Sequence, residues 1–355
     1  MKEFKLDFYD KTSLKSYDLD ESMRYQLAML GSLDVFTRKH SENVASITCR
    51  MCEYLHMKDY FTVYCTICAY LHDIGKQFIP PAILQKNGPL TDEEFQIMKT
   101  HTTIGHEMCM KDEKLRQYAD GPWCHHEGLD GSGYPRHLTN DEIPLEAKII
   151  RVADEFDAIT SKRQYKSHVG VTETLNILIS ETKPSNKKSD ALNTLVEETK
   201  PKKGHKYGKV DPRFVKALIK VIIDDTEYEL YNVGLYVDYL KDEIKRLEQI
   251  GNYRTKMEKA HNENDRVYYF NGIKELLAQG ETLENYDKVL EDYKAAYVTR
   301  KEGMDKLSEE LKAIKKLPRM DKLGEFMKQY IGSPDYRMAS PIMRQTLVNV
   351  VNEDL

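Results

Sequence analysis

Apolar residues recur at three- and four-residue intervals over most of this chain, which is the period of one helix face. The helical pattern begins near Ser22, and Ser41 to Leu55 sets Val44, Ile47, Met51 and Leu55 on a single face. Residues 61–74 are apolar on nearly every side, which predicts a central buried helix with Gly75 as its C-terminal stop. Pro80-Pro81 reads as a turn. Thr91 followed by Glu94 reads as a capping box that opens a helix carrying Phe95, Met98 and His101. A further helix is predicted from Ile143 to Ile159. Residues 1–10 alternate weakly through Phe4, Leu6 and Phe8, so a short strand or extended arm is expected there. Strong strand signals are absent, and the predicted fold is all-α.

Residues 171–210 interrupt this pattern. Leu175 to Pro184 recurs as Leu192 to Pro201 with seven of ten positions identical, and Lys, Ser, Pro and Gly crowd the intervals. A local duplication with a loop-like insertion over about 183–205 is expected. The helical core resumes at Asp211-Pro212. Beyond about residue 230 the helices become long and charged. Leu240, Ile244, Leu247 and Ile250 form one stripe. Leu283, Tyr286, Leu290, Tyr293 and Tyr297 form another, extended by Met304, Leu307, Leu311 and Ile314 to a stop at Pro318. These predict a helical hairpin or coiled coil. The expected organisation is an arm (1–24), a main domain (25–230) and a C-terminal helical region (231–355).

Composition narrows the function classes. The net charge of −5 leaves no basic footprint for duplex nucleic acid or an anionic membrane. No apolar run approaches the ~20 residues of a membrane span, and the first residues lack the apolar segment of a secretory signal. A cytoplasmic location is expected. The pairs Cys49/Cys52 and Cys65/Cys68 have the spacing of a zinc ribbon, but neither is followed by a glycine turn. Each falls in a stretch that reads as an amphipathic helix, where i,i+3 residues share a face. Buried thiols packing two helices are the expectation.

The candidate chemistry is carried by His40, His72-Asp73, His101, His125-His126 and Asp154, separated each time by about one helix and a connection. Metal sites in all-α folds are built from ligands that project inward from several helices. Adjacent residues on a helix diverge by about 100°, so His72-Asp73 would give one metal an imidazole while the carboxylate bridges to a second. Imidazole and carboxylate without thiolate suit iron, manganese or zinc. After His125-His126, three glycines (Gly128, Gly131 and Gly133) fall within six residues and lead to Tyr134-Pro135.

With these motifs in order, the stretch from about 25 to 225 resembles the HD-GYP branch of the HD metal-dependent phosphohydrolase superfamily, the cyclic di-GMP phosphodiesterases. The resemblance rests on His72-Asp-Ile-Gly-Lys76, Pro80-Pro-Ala-Ile-Leu-x-Lys86, His125-His-Glu-x-x-Asp-Gly-x-Gly-Tyr-Pro135 and Asp154-x-x-Asp-Ala. It implies an HD-type multi-helix domain and the metal ligands His40, His72, Asp73, His101, His125, His126 and Asp154, with Asp73 as the bridge. It implies that Lys76 reaches a phosphate oxygen and that Arg163 and Lys166 hold the substrate's phosphates; the loop Gly128–Pro135 would border the pocket, with Tyr134 a stacking or hydrogen-bonding group for the substrate. Some members hold a third metal through a glutamate one turn before the first histidine. Here that position is Phe36, so two divalent metal ions are expected. Where the family often has proline after the matching arginine, this chain has Gln164.

The implied reaction is attack of a hydroxide held between the two cations on a 3′–5′ phosphodiester, giving linear pGpG, GMP or both from cyclic di-GMP. Asp73 and Lys76 would be the catalytic pair. Cyclic GMP-AMP is an alternative substrate, and a non-hydrolysing sensor that signals through the C-terminal helices is an alternative role. Residues 235–316 are a candidate surface for a homo-oligomer or a protein partner.

Overall fold

A computed structural model describes residues 35–161, 169–184, 207–279 and 286–317. Among these, every regular element is a helix, and the one β pairing is an isolated antiparallel bridge between Asp130 and Thr139. The arm 1–24, the second copy of the repeat, most of the 183–205 insertion, Arg163, Lys166, Leu283 and Pro318 lie outside the described residues, as does the side chain of Phe36.

The chain divides into two compact units, one running up to Ile222 and one covering 223–315. In the first, α1 (Val35–Tyr54) packs along α2 (Asp59–Leu71), and a 3-10 turn (Ile74–Phe78) and the short α3 (Pro81–Leu84) lead into α4 (Asp92–Lys111). Then come α5 (Asp120–Cys124), α6 (Leu145–Thr160), which packs on α1, and α7 (Val171–Glu181). The capping box at the start of α4 is formed: Glu94 N–H donates to Thr91 Oγ1 at 3.3 Å and Thr91 N–H to Glu94 Oε2 at 2.7 Å. Helix α6 starts later than its periodicity suggests because Pro144 occupies the N-cap, and a residue before proline is held out of the helical region.

The helix predicted over 61–74 is α2, and seven of its residues are buried, Cys65 and Cys68 among them. Cys49 and Cys52 on α1 are equally buried, and all four are free thiols. Burial pushes the Cys65 and Cys68 thiols well above their usual range. These cysteines therefore act as small apolar packing groups.

Two local expectations need correction. Gly75 does not stop α2, which ends at Leu71. Gly75 sits inside the following 3-10 turn because α4 passes close by: a Cβ there would lie 2.0 Å from the carbonyl oxygen of His101. Pro81 is not simply in a turn but opens α3, where its missing N–H would have had no helical acceptor.

The second unit contains the continuation of α8 (Pro212–Lys259), α9 (Glu263–Ala278) and α10 (Tyr286–Lys315). Helices α8 and α10 run antiparallel, tied by Lys294 to Glu248 (3.2 Å), Arg300 over the Tyr236 ring (5.9 Å) and Lys315 to Glu227 (2.5 Å). The predicted stripes are the packed faces, with Leu240, Leu247, Ile250, Leu311 and Ile314 buried. Helix α9 is an addition to the expected pair. Ile273 is its one buried residue, packed with Leu247 and Ile250, so its sequence carries little periodicity.

Candidate metal centre

Helix ends aim the imidazoles. The last carbonyls of a helix lack intrahelical donors, and histidines at the ends of α2 and α5 supply them. His72 Nδ1 donates to the Ala69 carbonyl at 2.6 Å, and His125 Nδ1 donates to the Pro122 carbonyl at 2.9 Å. Within α4, His101 Nδ1 donates to the Met98 carbonyl at 2.6 Å. A carbonyl only accepts, so each contact places the ring proton on Nδ1 and leaves Nε2 as a lone pair. All three Nε2 atoms face Asp73, at 3.3 Å from His72, 3.4 Å from His101 and 3.9 Å from His125. The divergence of His72 and Asp73 is thus not that of neighbours on a helix. His72 caps α2, and Asp73 follows it with φ −99° and ψ 8°.

Asp73 divides the centre in two. Its Oδ2 faces His40 Nε2 (3.6 Å) and His72 Nε2, while its Oδ1 faces His101 and His125. Asp154, from α6, repeats the division, with Oδ1 3.0 Å from His40 Nε2 and Oδ2 3.7 Å from His126 Nδ1. Asp154 extends the buried stripe of Ala147 and Ile150 along α6, so the helix that packs the core also delivers the carboxylate. His126 is the most exposed of the seven and lies at the rim, its ring 4.8 Å from that of Tyr134.

The loop after His126 holds that rim. Gly131 has φ +79°, a backbone state that glycine adopts freely. Gly133 packs so tightly that a Cβ would lie 2.2 Å from the Gly128 nitrogen. Buried Glu127 accepts the N–H groups of Arg136 (2.7 Å) and Leu138 (2.9 Å).

The electrostatics are those of an acidic, largely neutral-imidazole pocket. Burial lowers His101 to about 4 and holds His125 and His126 well below the usual histidine range. For His40 burial acts in the same direction, but hydrogen bonds to Asp154 and Asp157 outweigh it and raise it to about 9. Burial opposes ionisation of Asp73 and Asp154. The Lys76 ammonium beside Asp73, and the hydrogen bond from His40 to Asp154, nevertheless hold both well below the usual carboxylate range. Lys76 Nζ is paired with Asp73 Oδ2.

All seven predicted ligands converge. Lys76 joins them through Asp73, and Tyr134 lies against His126. Three further residues were not assigned a role from the sequence. Asp157 Oδ2 accepts from His40 Nδ1 at 2.6 Å, and Asn43 holds the other Asp157 oxygen at 2.9 Å. Asp157 lies one turn beyond Asp154 and Asn43 one turn beyond His40, so i,i+3 spacing was the available signal. Glu127 had no comparable spacing signal, since its partners are backbone N–H groups of Arg136 and Leu138 in the loop that follows it.

The donor set fits divalent cations. His72 Nε2 and Asp73 Oδ1 are buried without a hydrogen-bond partner, which is costly unless something binds them. His101 Nε2 and His125 Nε2 approach to 3.3 Å, two lone pairs that repel unless a cation lies beside them. His40/His72/Asp73, His101/His125/His126 and His72/His125/Asp154 each bring ligand atoms within 4.8 Å of one another and could hold a metal ion. The Nδ1 partners Asp157, Ala69, Met98 and Pro122 are outer-shell groups of the kind that orient metal-binding imidazoles.

Residues 26–186 match the family model described as HD domain. A cyclic di-GMP phosphodiesterase of Thermotoga maritima is 41% identical over 170 residues, covering 46% of this chain and 46% of that protein. The 3′3′-cGAMP-specific phosphodiesterase 3 of Vibrio cholerae is 36% identical over 143 residues, covering 40% of this chain and 31% of that protein. The chain thus spans less than half the length of these curated relatives. Among solved structures, an HDG"Y"P protein of Bdellovibrio bacteriovorus aligns with a TM-score of 0.38 at 18% identity, covering 52% of this chain and 51% of that one, a likeness too low to add to the sequence matches. Over residues 26–186 this chain is thus similar to proteins of the HD domain family.

Proposed function

We propose that this chain is a metal-dependent phosphodiesterase that hydrolyses cyclic di-GMP to linear pGpG, GMP or both. The observation that carries the reading is the division of Asp73, one oxygen toward His40 and His72 and the other toward His101 and His125. That arrangement suits two cations sharing one carboxylate. His40, His72, Asp73 and Asp154 would hold the first, and Asp73, His101, His125 and His126 the second. Iron or manganese suits this thiolate-free set best, with zinc a possible third. When bound, such a pair supplies Lewis acidity and a water made acidic enough to attack phosphorus in line.

The side chains of the chain do the rest. Asp157 and the backbone carbonyls keep the imidazoles oriented. Lys76, paired with Asp73 in this structure, would donate to a phosphate oxygen and offset charge as it builds. Arg163 and Lys166 hold the substrate's phosphates, and Tyr134 borders the pocket. The catalytic domain would span 25–230, including the 183–205 insertion, with 235–316 serving self-association or a protein partner. A cytoplasmic location belongs to the same reading. No helix among the described residues is long and apolar enough to cross a membrane. Cyclic GMP-AMP is the second candidate substrate, favoured by the 36% identity to a relative named as specific for it.

The test is metal analysis and turnover of cyclic di-GMP and 3′3′-cyclic GMP-AMP under anaerobic conditions, for the parent protein and Asp73→Ala. The expected result is about two iron or manganese ions per chain, the nuclearity of an in-line clamp, with hydrolysis lost in Asp73→Ala. Metal-loaded protein that binds the dinucleotide and never cleaves it would instead establish a sensor.

A further inference from the structure

A run of rings leads from the metal centre to solvent. The Tyr134 ring lies against His126, with centroids 4.8 Å apart and planes 31° apart. Phe95, in the first turn of α4, meets Tyr134 edge to face with centroids 6.3 Å apart. Phe95 is 42% exposed, an aromatic surface left in water beside a buried polar site. One turn further along α4, Lys99 Nζ stands 4.7 Å from the Phe95 centroid and 5.3 Å from that of Tyr134. No carboxylate among the described residues pairs with Lys99, whereas Lys86 on the same side of the chain is neutralised by Glu94. The capping box of Thr91 and Glu94 fixes the turn that carries Phe95.

Half-open rings with an unneutralised ammonium held over them match a ligand that has a flat π face and an acceptor-rich rim. Among the purines, guanine presents N7 and O6 as adjacent acceptors, whereas adenine pairs its N7 with an N6 donor. An ammonium can only donate, so it favours guanine. We propose that Phe95 and Lys99 form, with Tyr134, a shelf that stacks one guanine of the substrate beside the metal centre. Phe95 and Lys99 are then positioning and specificity residues that hold the scissile phosphodiester over Asp73. The inference rests on the cyclic-dinucleotide reading of the site.

The experiment uses the full chain loaded with metal, and compares Phe95→Ala, Lys99→Ala and Phe95→Tyr with the parent. The substrates are cyclic di-GMP, cyclic di-AMP and bis(4-nitrophenyl) phosphate, which has no purine. For either alanine variant, KM for cyclic di-GMP should rise about tenfold, equivalent to ~1.4 kcal/mol and within the range of one stacked base. Where the parent binds without turnover, Kd carries the same expectation. Neither kcat nor metal content should change, and any loss on bis(4-nitrophenyl) phosphate, whose rings lack the N7/O6 pair, should be smaller than the loss on cyclic di-GMP. Phe95→Tyr should restore KM, and Lys99→Ala should narrow the preference for cyclic di-GMP over cyclic di-AMP. An unchanged KM in both alanine variants, or an equal loss on all three substrates, overturns the shelf. A parent that cleaves bis(4-nitrophenyl) phosphate yet neither binds nor cleaves a cyclic dinucleotide overturns the proposed function itself, and that result is read before any variant is made.

Discussion

At the scale of single residues, the centre depends as much on the groups behind the ligands as on the ligands. His40 reaches Asp73 and Asp154 only because Asp157 takes its Nδ1 proton at 2.6 Å. Asp157→Ala leaves that ring free to turn and strands Asn43, so metal affinity should fall by about 10- to 100-fold, as for other outer-shell partners. Competition with a calibrated chelator measures this, and an unchanged affinity would remove Asp157 from the site. The seven converging side chains were legible in the sequence because histidine and aspartate at helical intervals have few other uses. Asp157 and Glu127 were not, since an acid on a helix or in a turn is ordinary until its partner is known. For Asp157 that partner is more than a hundred residues away.

At the scale of elements, the decisive contact is α4 against the turn after α2. Gly75 lets the His101 backbone come close enough for His101 and Asp73 to meet. Gly75→Ala forces a carbon to within 2.0 Å of a carbonyl oxygen, and overpacking of this kind typically costs about 1–3 kcal/mol. Urea unfolding should show that loss, accompanied by weaker metal binding. Retained stability would mean that α4 can withdraw at no penalty. Gly75 was expected to be a helix stop, because a glycine after an apolar helix has that meaning far more often than it marks a crossing. The capping box of α4, by contrast, was legible because all its atoms lie within four residues.

At the scale of the whole molecule, the centre joins five helical segments: α1, the ends of α2 and α5, α4 and α6. A cation that binds only the folded chain stabilises it by about 2.7 kcal/mol at a hundredfold excess over Kd. Removing metal should therefore lower the melting temperature of the parent protein, and re-adding iron or manganese should restore it. Calorimetry with and without chelator makes the comparison. A melting temperature indifferent to metal would indicate that the imidazoles are held by packing alone. The region 223–315 shows how far periodicity reaches at this scale. Its two strong stripes were found as α8 and α10, while α9, which buries only Ile273, passed unnoticed.

The sequence alone determined the all-helical class, the capping box, the stripes of the long helices and the seven side chains of the centre. Each of these is written in local spacing or in residue chemistry that has few alternative uses. Tertiary structure alone decided which imidazoles each oxygen of Asp73 would face, and that Asp157 would orient His40. It also decided that Gly75 would be a crossing point and that Phe95 and Lys99 would stand beside Tyr134. Those relations join residues from different helices and loops, and no periodicity along a chain encodes which distant surfaces meet.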